Sequence, residues 1–250
     1  MTFPTFVPLS LTVLLILLAT AFLRLLYILP VFNHEPPKPR KRNDPNDPIH
    51  LLIVLGSGGH TAEMLSMLST PHFSPRTYTH RSYVISEGDA FSAGKAIEFE
   101  DGLMARPEQP LKDGKGDEVG YSIHTVPRAR RIHQSLFTSP LTSTHCLVAS
   151  TAFLRNHPRG KPDLILTNGP ATALIIVIAN LAIEYFSFLS DWDRGTRRTR
   201  SIYVESWARV RRPSLTCWII VKLGLCDQVL VQWPQLEEAG WGKYRGVLIR

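Results

Sequence analysis

The run Gly56-Ser57-Gly58-Gly59-His60-Thr61 stands between an apolar stretch, HLLIVL at 50–55, and a stretch in which Met64, Leu65 and Leu68 mark an apolar helix face. A strand that enters a glycine loop and leaves it as a helix offers backbone N–H groups and a helix N-terminus to an anion such as a phosphate or diphosphate. Glycine serves there because a Cβ would block close approach or the required φ. The dinucleotide fingerprint is met only in part, since Gly56 and Gly58 match while Thr61 stands where the third glycine belongs. The phosphate-loop pattern with Gly-Lys-Ser/Thr is absent. His60, at the helix start, can donate to a phosphate, accept a proton from a substrate, or simply be a polar first-turn residue. Glu87, just past the next apolar run, could hold a ribose, so nucleotide use stays open beside a plain tight turn.

Three more segments carry usable chemistry. Pro127-Arg128-Ala129-Arg130-Arg131 begins where a strand should end and offers guanidinium groups suited to bidentate phosphate contact, or else a solvated basic turn. Thr167-Asn168-Gly169-Pro170 again links strand to helix, with Pro170 suited to a first helical position and Asn168 to capping the turn. Glu205-Ser206-Trp207-Ala208-Arg209-Val210-Arg211-Arg212 brings Trp and Arg, the types favoured at interface hot spots. The pair Asp191 and Asp193 resembles a metal-binding acid motif but sits among Arg194, Arg197, Arg198 and Arg200, and reads as a charged loop. No His, Cys and carboxylate set has metal-site spacing and no nucleophile elbow occurs, so no metal is expected and catalysis would rest on positioning and electrostatics. The three cysteines, Cys146, Cys217 and Cys226, form neither a CxxC pair nor an even disulfide framework and suit a reducing compartment.

These loops need a scaffold on which strand ends gather. Apolar runs at 50–55, 81–86, 121–126, 163–167, 201–205 and 227–233 alternate with helix-like stretches, which is the pattern of an α/β fold with a parallel sheet. The helix at 171–183 is apolar nearly all round, which fits a buried position or a dip into a membrane. Polar tracts at 102–120 and 191–200 read as surface insertions. Residues 6–32 are apolar but for Arg24, long enough to cross a bilayer, and Lys38, Arg40, Lys41 and Arg42 follow directly. The positive-inside bias puts that flank and everything after it in the cytosol. The expected organisation is an anchor at 1–33, a stiff Pro-rich basic linker at 34–48 and one body at 49–250. In 250 residues there is no room for two full-sized domains beside the anchor. The excess of 28 Lys and Arg over 21 Asp and Glu, a net +7, suits an anionic partner, but the basic residues are scattered and form no nucleic-acid reader.

Taken together, LIVLGSGGHTAEMLSML at 52–68, VPRARRIHQS at 126–135, LTNGPA at 166–171, YVESWARV at 203–210 and VQWPQL at 231–236, behind an N-terminal anchor, closely resemble the family of the fourteenth protein of the asparagine-linked glycosylation pathway. The similarity covers nearly all of the body in the same order. It implies the membrane-anchoring subunit of the UDP-N-acetylglucosamine transferase that acts second in dolichol-linked oligosaccharide assembly, on the cytosolic face of the endoplasmic reticulum. The family is also similar to the N-terminal half of bacterial MurG, so the implied fold is one Rossmann-like half of a GT-B glycosyltransferase. The other half is then a separate soluble polypeptide, the thirteenth pathway protein, which binds UDP-GlcNAc, so the chain forms a heterodimer and is inactive alone. The resemblance gives the acceptor diphosphate of dolichyl-diphosphate-GlcNAc to Gly56, Ser57, Gly58, Gly59, Thr61, Arg128, Asn168, Gly169 and Glu205, and makes His60 the base for the acceptor hydroxyl, with no cofactor. A partner surface is expected at 244–250, where apolar residues end the chain without a helix to bury them. The 191–200 insertion, Ala171 in place of a common glycine, and Trp207 in place of a common phenylalanine depart locally from the family pattern. Two rivals follow from the residues alone: a membrane-tethered nucleotide-dependent oxidoreductase using Glu87, and a pure membrane scaffold.

Overall fold

The computed structural model describes residues 9–32, 49–70, 73–75, 77–105, 120–130, 134–135, 137–169, 171–187 and 198–249. In chain order the elements are α1 (Leu9–Ile28), a 3-10 turn (Pro30–Phe32), β1 (His50–Val54), α2 (Gly59–Leu68), β2 (His80–Ser86), α3 (Ala90–Met104), β3 (Gly120–Val126) and α4 (Ser139–Arg155). There follow β4 (Leu164–Asn168), α5 (Ala171–Phe186), β5 (Arg200–Val204), α6 (Leu215–Leu223), β6 (Gln228–Val231), α7 (Pro234–Glu238) and β7 (Lys243–Tyr244). The strands form one seven-stranded sheet in the order β3-β2-β1-β4-β5-β6-β7, and every pairing is parallel. This is the doubly wound Rossmann order with an added edge strand, and its direction reverses between β1 and β4.

The central strand shows why an apolar run becomes a buried parallel strand. All five residues of β1 are buried, because helices cover both faces of the sheet. Side chains alternate between those faces with a period of two. Leu51, Ile53 and Leu55 pack with Met64, Leu65 and Leu68 of α2 and Ala96 and Leu103 of α3, while Leu52 and Val54 pack with Leu154 of α4 and Ala173, Ile176 and Ala179 of α5. The apolar helix α5 is a core element: it also joins Tyr203, Cys217 and Ile220 through Val177 and Leu181.

Strand ends agree with the apolar runs to within a few residues, and two differences have local causes. The polar stretch assigned to a surface tract begins inside α3, which continues to Met104, and ends in β3, which Gly120 opens; residues 106–119 lie outside the description. At the chain end, Lys243 and Tyr244 pair with Leu230 and Val231, so the tail begins as a two-residue edge strand. The linker at 34–48, the pair Asp191 and Asp193, Arg131 and Pro170 lie outside the described residues.

The helix α1 contains a span, Ser10–Ile28, long and apolar enough to cross a membrane, and residues 10–23 are exposed. Among the described residues, its last turns meet the body. Arg24 donates to the carbonyls of Glu184 and Tyr185 at 3.0 and 3.2 Å, a cation at the negative end of α5. Ile28 and Pro30 are buried, and Val31 sits where a Cβ on Gly224 would be, against the left-handed turn that ends α6.

Candidate functional site

The carboxyl ends of β1 and β4 flank the switch point, the place where open α/β sheets take ligands. A cavity of about 760 Å³ opens there. Its wall includes Gly56, Ser57 and His60 from the β1–α2 connection, Arg128 and Arg130 after β3, Asn168 and Gly169 after β4, and Tyr203, Glu205, Ser206 and Arg209 around the end of β5. Residues from four loops separated by up to about 150 positions thus share one wall because four parallel strands end on the same sheet edge.

Several of the expected residues also hold the loops in place. Thr61 is fully buried: its hydroxyl donates to the Gly56 carbonyl and lies 2.6 Å from Ser92 Oγ, so it closes the glycine loop from behind. Gly58 holds φ at +62° at the N-cap of α2, and both Gly58 and Gly59 face open space outside the cavity wall. The N-cap carries no side-chain hydrogen bond, so the first-turn N–H groups of α2 are not occupied by a capping side chain. Glu205 is buried and its carboxylate accepts from the backbone N–H of Ser206 at 2.9 Å, from the backbone N–H of Ser214 at 2.8 Å and from the Ser214 hydroxyl at 2.8 Å. It therefore pins both ends of the loop that carries Trp207 and Arg209, while Ser214 caps α6. Glu87 is exposed at the tip of β2, and its carbonyl accepts from Arg128 Nε at 2.8 Å, which steadies that guanidinium at the rim.

Around His60 the fit is closest. Its Nδ1 lies 3.0 Å from Asn168 Oδ1, and Asn168 Nδ2 donates to Glu63 Oε2 at 3.1 Å. Ser206 Oγ donates to Glu63 Oε1 at 2.8 Å. Gly169 has φ +98°, and a Cβ on it would stand 2.9 Å from His60 Cγ, so the imidazole rests directly on the glycine backbone. Tyr203 OH bridges the Gly169 carbonyl at 3.3 Å and Ser214 Oγ at 3.2 Å, and burial next to Glu205 pushes its hydroxyl well above the usual tyrosine range. Sequence reading passed over Glu63, although its spacing of three from His60 on a helix was the available signal. Tyr203 and Ser214 carried no such signal.

The wall combines three arginines, Gly56 and Ser57 of the glycine loop and one imidazole, which suits an anionic ligand with a hydroxyl near the histidine. The three cysteines are free and buried, and burial raises each thiol, that of Cys226 to about 12, so none is a thiolate nucleophile near neutral pH. Among the described residues, no group of three or more His, Cys, Asp or Glu side chains is placed to hold a metal ion.

Known proteins share this arrangement in sequence. Residues 51–248 match the family described as "Oligosaccharide biosynthesis protein Alg14 like". The UDP-N-acetylglucosamine transferase subunit alg14 of Aspergillus fumigatus is 39% identical over 221 residues, 74% of this chain and 95% of that protein. The corresponding subunits of Yarrowia lipolytica, 35% identical over 93% of this chain and 95% of that protein, and of Homo sapiens, 34% identical over 78% of this chain and 80% of that protein, are similar as well. The crystal structure of Acinetobacter baumannii MurG aligns at TM-score 0.43 and 10% identity, covering 75% of this chain and 42% of that one. With the family match spanning nearly the whole body, including every loop around the cavity, the chain belongs to the Alg14 family.

Proposed function

We propose that the chain is the membrane-anchoring, acceptor-side subunit of a UDP-N-acetylglucosamine transferase, which adds the second GlcNAc to dolichyl-diphosphate-GlcNAc in N-glycan precursor synthesis. The observation that carries this reading is the cavity at the switch point, where Arg128, Arg130, Arg209 and the glycine loop surround a space that His60 also lines. Arginines and a helix N-terminus hold the lipid diphosphate. His60 takes the proton of the acceptor hydroxyl as that oxygen bonds to the anomeric carbon of UDP-GlcNAc, and UDP departs with the electron pair. The sugar nucleotide is bound by a soluble second subunit, the thirteenth pathway protein, docked as a heterodimer against the cavity mouth and the tail after Tyr244. The anchor α1 holds the assembly at the endoplasmic reticulum membrane with the body in the cytosol. Glu87 lies outside the cavity wall, which leaves the oxidoreductase rival without its ribose contact.

A short-chain polyprenyl-diphosphate-GlcNAc titrated against the full chain in detergent tests the acceptor site without the partner. The expected result is saturable binding, weakened about 10-fold or more by Arg128→Ala, in line with the loss of a charged hydrogen bond. Absence of binding, or equal affinity for the same lipid lacking the diphosphate, contradicts the reading.

A further inference from the structure

The side chains behind His60 form a chain of hydrogen bonds with only one consistent polarity. An ionised carboxylate can only accept, so Glu63 Oε2 requires the amide nitrogen of Asn168, as the 3.1 Å contact has it. That leaves Asn168 Oδ1 facing the ring at 3.0 Å, and an amide oxygen can only accept, so Nδ1 of His60 must carry the proton. In the neutral ring the lone pair then belongs to Nε2. We propose that Glu63 is the positioning residue for His60, fixing through Asn168 the Nδ1–H tautomer so that Nε2 is the nitrogen that receives the acceptor proton.

Two other features make Glu63 more than a neighbour. Its second oxygen takes the Ser206 hydroxyl at 2.8 Å, so one carboxylate joins α2, the end of β4 and the segment after β5, the three connections that meet around the switch point. When Nε2 gains a proton, the carboxylate also stands at the far end of the same chain of hydrogen bonds and stabilises the imidazolium, the part a carboxylate plays behind a catalytic histidine. The ring is held from the side by the Gly169 backbone, so the hydrogen bonds choose the protonated nitrogen and the packing fixes the plane.

The proposal rests on His60 as the base, but its first readout does not depend on activity. Long-range ¹H–¹⁵N spectra of the full chain in nanodiscs, labelled at histidine, report the tautomer of each ring, and His60→Ala identifies the His60 signals. Wild type is expected as Nδ1–H. Glu63→Gln lets the amides turn over and is expected as a mixture or as Nε2–H. The pair Glu63→Gln with Asn168→Asp reverses the polarity of the contact: the new amide donates to the new carboxylate, which still accepts from Nδ1, so the double variant is expected to return to Nδ1–H. In the two-subunit complex, Glu63→Gln and Asn168→Asp should each lower kcat about 10- to 100-fold with KM little changed, and the double variant should recover most of that loss. An Nε2–H ring in wild type, or a tautomer that ignores Glu63→Gln, overturns the proposal. So does a double variant no better than its parents in both tautomer and kcat. If the tautomer follows Glu63 as described but His60→Ala leaves the complex fully active, it is the base assignment in the proposed function that fails, and Glu63's control of the ring stands.

Discussion

At Gly169, a positive φ and the imidazole of His60 demand the same thing, a residue with no side chain. Gly169→Ala would strain the backbone at φ +98° and drive its Cβ to 2.9 Å from the ring, displacing His60. The expected result is a fall in kcat of the reconstituted complex of about 100-fold, comparable with losing a general base, while the chain remains folded. Unchanged kcat would remove His60 placement from the account. Gly58 makes a useful contrast, since it also has positive φ but an added Cβ would meet open space, so there the backbone alone calls for glycine. At this scale the sequence disclosed the glycines and His60, because a strand–glycine–helix pattern is local. It could not disclose that Thr61 and Glu205 hold loops together, or that Glu63 reaches Asn168 and Ser206, since those bonds span 105 and 143 positions.

Among the elements, β2 carries the most exacting side-chain pair in the body. Arg81 and Glu100 are both wholly buried, joined by two bonds of 2.7 Å, with Tyr83 OH donating to Glu100 at 2.6 Å and Arg81 reaching the Tyr78 carbonyl at 2.7 Å. Each polar atom is matched, which ties α3 to β2 across the apolar layer. Glu100→Ala would strand a buried guanidinium and should cost about 3–5 kcal/mol, read from urea unfolding of the full chain; a change under about 1 kcal/mol would mean the pair is not desolvated. On the opposite face of the sheet, His50 and His157 share Ser82 Oγ at 2.8 and 3.1 Å, and the His124 ring lies 5.0 Å from His157. Burial first, then the neighbouring positive groups, pushes His50 down to about 3 and His157 down to about 4, while burial also lowers His124. His80 and Arg159 are the other cationic groups facing His50. The folded values of His50, His157 and His124 lie below the unfolded value of about 6.5, so the unfolded chain binds more protons as pH falls through 6.5. Stability should therefore decline from about pH 6.5 toward pH 4, seen as a lower urea midpoint, and His157→Phe should reduce that dependence; a midpoint that is flat across the range would contradict it. Six strands were legible because strands buried on both faces are near-continuous apolar runs. The edge strand β7 was not, because a two-residue Lys-Tyr strand leaves no periodic trace. Neither α3, with Gly94 and Gly102, nor α4, rich in Ser and Thr, declares itself by pattern; packing on the sheet makes them helices.

The whole molecule sets its two attachments at opposite ends of one helix. Ala171, Thr172 and Ala173 at the start of α5 line the cavity, and the carbonyls of Glu184 and Tyr185 at its end receive Arg24 of the anchor. The helix is sixteen residues long, roughly 24 Å at 1.5 Å per residue, so the anchor joins the body at the sheet's amino edge while the cavity opens at its carboxyl edge. Among the described residues the strands form one sheet, and the loops at its carboxyl edge wall the cavity. A glycosyl transfer needs a donor site as well, and in the proposed function a second chain supplies it. The most direct test is GlcNAc transfer from UDP-GlcNAc to a dolichyl-diphosphate-GlcNAc analogue, measured with the full chain in nanodiscs, alone and after addition of the soluble subunit. Transfer only when both are present, and lost with His60→Ala, is the predicted result; transfer by this chain alone would contradict the central claim.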